Sequence, residues 1–466
     1  MSGYGSLTRS ITNQLRRVAD GGETFARVSR AAGIILVVAV PIVVTPWGPD
    51  GYNQVKALTT EILASLAMIG WIGARLATGR PSWRFTAPEL PLWAFLLAVL
   101  LSSVTSVNPR LSFLGGAGRY EGLFAHCGYV ALFLVGVHFF GSYAGLRALV
   151  RAAGGAAVIT SAYGVLQLFI PPLFAGETFI REWYSAPGIV RVPSTLSSPV
   201  MFGGYLSLMI PLLLATGVSA RGTARRFWLA AACLALLALA MTIARAAWAA
   251  TFIGLVILAI AAGRSTWRHR IIVAALAVIV MASVGLLVTG VGRPAAIWSH
   301  VTASADIRSG SPAQRVYIWS RTLGLIGIRP WLGWGLETLG VVFPYDRASL
   351  VRVFGPRPTI IDRAHNDLLQ VAVSIGIPGA LAYAAVWGLV VWSAVRTWRR
   401  AAGSARILAA GWLAAITAYL VQVQFSFSVV ALAPIVWLLA GAAAGWEAES
   451  RGRGNGGTRE RETACQ

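Results

Sequence analysis

The chain has 466 residues, of which 56% are hydrophobic and only 12% charged, against about 25% charged in an ordinary soluble domain. A mean hydropathy of +0.68 and long apolar runs exclude a water-soluble enzyme and predict an all-α polytopic membrane protein. Formal charge is +22 with Lys56 the single lysine, so the cations are guanidinium groups, permanently charged and bidentate toward phosphate. Three scattered cysteines, Cys127, Cys233 and Cys465, offer neither a disulfide framework nor a metal spacing.

In chain order, residues 1–30 read as a polar arm and 31–291 as nine membrane helices, centred near residues 38, 66, 97, 131, 159, 207, 235, 254 and 280, at about 20 residues per crossing. A large outward-facing loop with short interfacial helices is predicted over 292–366. Three more membrane helices follow over 367–446, centred near 380, 414 and 437, and a disordered tail over 447–466. The first apolar run follows a long polar arm and ends at Pro46 and Trp47 without a small-residue cleavage site, so a cleaved signal peptide is not expected. Twelve spans put both ends on one side. The arm, the tail and alternate short connections on that side carry 24 of the 39 bases, which assigns it to the cytoplasm.

The 292–366 loop breaks that bias, with nine arginines (Arg293, Arg308, Arg315, Arg321, Arg329, Arg347, Arg352, Arg357, Arg363) against Asp306, Glu337, Asp346 and Asp362. A long domain is translocated despite its charge, and an anionic ligand on the outer face accounts for the crowd. Val316, Trp319, Leu323 and Ile326 recur at helical spacing, predicting an interfacial helix with Arg315 at its beginning and Pro330 at its end. Trp331, Gly333, Trp334 and Gly335 then form a rigid aromatic turn, read equally well as a membrane-surface anchor.

Four of the five histidines (His126, His138, His269, His300) read as structural. His365 differs, because it stands at the outer mouth of a helix beside Asn366, Asp367 and Gln370. Its imidazole is suited to accept a proton from a sugar hydroxyl; no second His or Cys lies at ligand spacing, so no metal is expected. Arg245 falls between two apolar runs, where an arginine either lines a cavity or snorkels to the interface. Gly118-Arg119-Tyr120-Glu121-Gly122 and Arg191 to Pro199 are polar mouths of spans that join it. There is no Walker loop, no Asp-x-Asp pair and no Gly-x-Ser-x-Gly elbow, so energy must arrive with the substrate. A lipid-linked sugar diphosphate fits, since guanidinium groups would stabilise charge building on the departing diphosphate.

Ala364-His365-Asn366-Asp367-Leu-Leu-Gln370 followed by Gly376-Ile-Pro-Gly379 resembles the signature of the O-antigen ligase and O-antigen polymerase superfamily. So do Arg315 with Trp319, Arg329-Pro330, Gly333-Trp-Gly335, Arg245-Ala-Ala-Trp248 and Arg119-Tyr-Glu-Gly122, a pattern covering about residues 105 to 395. The sequence departs from the common form at Ala244 and Ala246, where Ser and Gly are frequent, and at Ser198-Pro199-Val200, where Asn-Pro-Asn is common. The resemblance implies a metal-independent, cofactor-free glycosyltransferase of the C-type membrane class. Such an enzyme moves a glycan from undecaprenyl diphosphate to a hydroxyl on the outer face of the cytoplasmic membrane, in cell-envelope polysaccharide synthesis such as that of lipopolysaccharide. Carried over by motif, His365 would be the general base and Arg245 and Arg315 the donor-diphosphate ligands. Arg119, Arg191, Asn366 and Asp367 are weaker candidates for the substrate cavity. The first reading is a ligase and the second a polymerase; a protein O-glycosyltransferase and a bicarbonate-type secondary transporter are further alternatives. The acceptor is accordingly a lipid, a growing glycan or a protein, and membrane lipid is the other partner; nucleic acid is not expected. The candidates gather on one face rather than at the bilayer midplane, which favours catalysis over transport.

Overall fold

A computed structural model describes residues 3–47, 50–79, 83–173, 175–184, 190–262, 310–355 and 359–463. Helix is the regular structure throughout them: α1 (Gly3–Ile42), α2 (Asn53–Thr78), α3 (Glu89–Val104), α4 (Pro109–Leu114), α5 (Leu123–Phe139), α6 (Tyr143–Leu166), α7 (Ala175–Tyr184), α8 (Pro199–Ser219), α9 (Gly222–Thr242) and α10 (Arg245–Ala261). After the loop come α11 (Gly310–Ile328), α12 (Leu339–Val342), α13 (Arg347–Phe354), α14 (Asp367–Arg400), α15 (Gly403–Val423) and α16 (Ala433–Thr463). Among the described residues seven helices, α2, α6, α8, α9, α14 and α15 included, are long and apolar enough to cross a membrane, and α3, α5 and α10 are shorter apolar helices. The chain is an integral membrane protein. Every predicted span centre lies inside a helix except the one near 280, which falls outside the described residues together with His269, His300, Arg293, Arg308 and Arg357.

Helix also runs through segments read from sequence as arm and tail: α1 begins at Gly3 and α16 ends at Thr463. Oppositely charged residues four apart favour this, as in Arg27 with Glu23 at 2.8 Å and Arg451 with Glu447 at 2.6 Å. The core lies around α8, 94% of whose apolar window is buried. The contact of α5 with α16 is close because Gly441 has no side chain. A Cβ there would stand 1.9 Å from the carbonyl oxygen of Phe133, so the two backbones approach as only small residues allow.

The feature that positions the site is a break in α14. Ile375 and Gly376 leave helical geometry just before Pro378, which has no N–H to donate. The freed Ser374 carbonyl is taken up by the Ser102 hydroxyl at 2.6 Å and the Gly335 N–H at 3.0 Å. The Trp331 to Gly335 turn thus docks onto the break. At Gly333, held at a φ of +67°, a Cβ would collide with the Ser374 carbonyl at 2.4 Å, so the docking requires glycine.

Candidate active site

Six non-glycine residues hold a left-handed backbone among those described: Tyr120, Ser194, Ser197, Ile243, Glu337 and His365. All six flank connections at one end of the bundle, and each costs about 1–3 kcal/mol that its surroundings must hold in place. Ile243 shows how. This β-branched residue at φ +49° is an outlier by its own preference, and it separates α9 from α10. Arg191 clamps it, Nε donating to the Thr242 carbonyl at 3.0 Å and Nη2 to the Ile243 carbonyl at 3.4 Å. The Trp248 indole N–H donates across the break to Leu239 O at 2.9 Å. The result places Arg245 at the first turn of α10.

The same logic operates at the head of α14. Asn366 caps the helix, its Oδ1 accepting from Leu369 N–H at 2.9 Å while Nδ2 donates to the Gln424 carbonyl at 3.1 Å. Asp367 is buried and accepts from the Tyr383 hydroxyl at 2.6 Å and the Ser428 N–H at 2.9 Å. Ala364 is fixed by Gln370 at 2.8 Å and by the Trp319 indole at 2.9 Å. His365, between these tethered neighbours, sits at φ +51°. Its ring meets the Phe427 ring edge-on at 5.4 Å, and neither nitrogen has a hydrogen-bond partner among the described residues.

His365 faces a cavity of about 250 Å³ whose lining includes Arg119, Arg315, Gln314, Ser198 and Phe427 and, among the described residues, no carboxylate. Arg315 enters from the second turn of α11. Its Nη2 donates to the Phe425 carbonyl at 3.0 Å, while its Nε is buried without a partner among the described residues. Burial first, and the nearby Arg245 guanidinium next, lower the pKa of Arg315. Burial likewise lowers His365 to about 4, with Arg315 the largest charge acting in the same direction and Asp362 opposing it. The imidazole is therefore neutral at neutral pH, the form that accepts a proton. An anion bound between these arginines would offset their effect and raise the basicity of His365.

An ionic network adjoins the cavity through Arg119 and Phe427. Arg363 reaches Glu121 at 3.2 Å and Glu337 at 2.5 Å, and Arg119 pairs with Asp362 at 2.8 Å. Burial pushes Glu121 up to about 8, with Arg363 opposing it. Burial raises Glu337 as well, again with Arg363 opposing it, so both carboxyls lean toward the neutral form against the pull of one guanidinium. Both guanidinium groups also stack on Phe427, at 4.9 Å for Arg119 and 5.4 Å for Arg363. One aromatic ring therefore gathers the imidazole and two cations.

Of the residues singled out from sequence, His365, Arg315 and Arg119 share one cavity, and Arg245 acts on it electrostatically. Arg191, Asn366 and Asp367 are instead committed to backbone and to Tyr383. Glu121, Glu337 and Phe427 were not picked out as site residues. Glu121 lies within a quoted motif and Glu337 comes two residues after the glycine turn, whereas nothing near Phe427 distinguishes it from any apolar loop residue. Among the described residues no three His, Cys, Asp or Glu side chains come together as metal ligands would. Residues 229–384, about a third of the chain, match a family model described as O-antigen ligase. The match starts in α9 and ends in α14, enclosing Arg245, Arg315 and His365. No curated protein matches the chain.

Proposed function

Taking membership of the O-antigen ligase superfamily as the premise, we propose that this protein transfers a glycan from undecaprenyl diphosphate to an acceptor hydroxyl, with His365 as general base. The observation that carries this is the cavity itself: among the described residues, an unpartnered imidazole and two arginines line a space with no carboxylate. That composition suits a diphosphate and a nucleophile meeting at one point. The acceptor O–H gives its proton to a ring nitrogen of His365 as its oxygen attacks the anomeric carbon. The bond from that carbon to the diphosphate oxygen breaks with inversion. Negative charge grows on the leaving diphosphate, where the fixed guanidinium groups of Arg315 and Arg245 stabilise it more than the ground state. Arg119, tied to Asp362 through Nε, lines the same cavity.

The fuller membrane reading belongs to the same proposal: twelve spans in the cytoplasmic membrane, both ends cytoplasmic, and the site on the outer face. The helices support it, since the connections rich in strained backbone all gather at the end that carries His365. Ligase and polymerase use the same chemistry and differ in what is transferred. The size distribution of carrier-linked and acceptor-linked glycan in a deletion strain separates them. Long chains accumulating on the carrier are expected for the ligase, single repeats identify the polymerase, and unchanged glycans overturn the transferase reading in favour of transport.

A further inference from the structure

A second cavity, of about 410 Å³, adjoins the first, with Asp50, Tyr120, Phe179 and Ile180 in its wall and Arg119 and Ser198 shared between the two. Asp50 opens α2. Its Oδ1 accepts from the N–H groups of Tyr52 at 3.1 Å and Asn53 at 2.9 Å, which leaves Oδ2 buried with no donor among the described residues. The wall around it is fixed: Asn53 Nδ2 donates to the Gly118 carbonyl at 3.0 Å and Ser197 donates to Asn53 Oδ1 at 3.1 Å.

The two cavities differ in kind. They share Arg119, but among the described residues the lining at His365 adds Arg315 and no carboxylate, whereas the wall here adds Asp50 and no second arginine. An anion is repelled by Asp50. A prenyl chain would leave Asp50 Oδ2 and the Tyr120 hydroxyl sealed without partners. A neutral ring that carries hydroxyl donors on its edge and C–H groups on its face satisfies both, donating to Asp50 Oδ2 while lying against Tyr120 or Phe179. We infer that this second cavity binds an uncharged sugar residue of a substrate glycan, beside the point of transfer. The inference rests on the transferase reading above; the sugar belongs to either the donor or the acceptor glycan, and the test separates the two.

The probe is the phosphate-free oligosaccharide released by mild acid from the cell's carrier-linked glycan, titrated into the purified full-length chain by calorimetry. Asp50→Asn keeps an acceptor for the two backbone N–H groups and places an amide nitrogen where Oδ2 stood, so the fold is retained. Kd is expected to rise about tenfold, as for a lost hydrogen bond to a charged group. Ile180→Trp fills the space and should abolish binding. In transfer assays of Asp50→Asn, KM for one substrate should rise about tenfold with kcat changed less than about twofold; that substrate is the one that owns the sugar. Unchanged binding in both variants, in a protein that transfers normally, overturns the sugar site alone. A wild type that binds sugar through Asp50 yet transfers nothing overturns the transferase reading and leaves the sugar site standing.

Discussion

Two clusters of arginine and carboxylate stand at the two ends of α14. At its C-terminal end buried Glu447 receives Arg396 at 3.5 Å, Arg400 at 3.2 Å and Arg451 at 2.6 Å. At its N-terminal end Arg363 lies between Glu121 and Glu337, next to the Arg119–Asp362 pair. The chemistry is the same and the setting is not. Every member of the Glu447 cluster is part of α14 or α16 and keeps helical backbone. The other is built from loop residues, with Glu337 and neighbouring Tyr120 and His365 in left-handed conformations, and it borders two cavities. Charge pairing alone does not separate holding a fold from building a site. Strained backbone with space in front of it does.

The largest test of that contrast is His365→Ala. Transfer should fall by about 10²–10⁴-fold, the contribution of a positioned base, while insertion and melting temperature stay unchanged; normal turnover would remove the base assignment. Arg315→Gln should lower kcat/KM for the donor by about 10²–10³-fold with acceptor KM nearly unchanged. It should also move the pH profile. A base works unprotonated, so activity is lost as pH falls through its pKa, which lies near 4 in the free protein. Arg315 is the largest charge holding that pKa down, so its removal shifts the acid limb of kcat/KM to higher pH. An unmoved limb would uncouple the two residues.

Arg363→Met leaves Glu121 and Glu337 buried without their cation, and a loss of about 3–5 kcal/mol is expected, read as a lower melting temperature together with falling transfer. The smallest effect belongs to the other end of the helix. Glu447→Gln faces arginines that are 31–41% exposed and therefore partly screened, so about 1–2 kcal/mol should be lost with kcat/KM within about twofold of wild type. A large change in transfer for Glu447→Gln, or none for Arg363→Met, would erase the distinction between the two clusters.

Much of the fold is legible in the sequence because apolar runs of membrane length leave few alternatives, and α11 appears where the spacing of Val316, Trp319, Leu323 and Ile326 places it. The amphipathic α7 was not foreseen. It is held by Glu177, which is buried and accepts from Tyr163 at 2.9 Å and Gln167 at 2.8 Å, and those pairings are invisible to local pattern. In the site, residue type at a span mouth was enough to single out His365, Arg315 and Arg119. It was not enough to tell them from Arg191 and Asn366, whose side chains turn toward carbonyls. The ionic network was out of reach altogether, since Arg363 meets Glu121 across 242 residues.

The break in α14 stands between the bilayer and His365. The turn of helix that carries Asn366 and Asp367 is bonded to Gln424, Ser428 and Tyr383, while the length beyond Gly376 continues to Arg400 through the membrane. A bilayer that thickens or thins is met by tilting of the long segment, and because Ile377 N–H beyond the break donates to Pro330 O while Ser374 O before it accepts from Gly335 N–H, that tilt is passed to the docked turn. Activity should therefore depend on lipid acyl-chain length, read as transfer by the purified protein in vesicles of graded thickness.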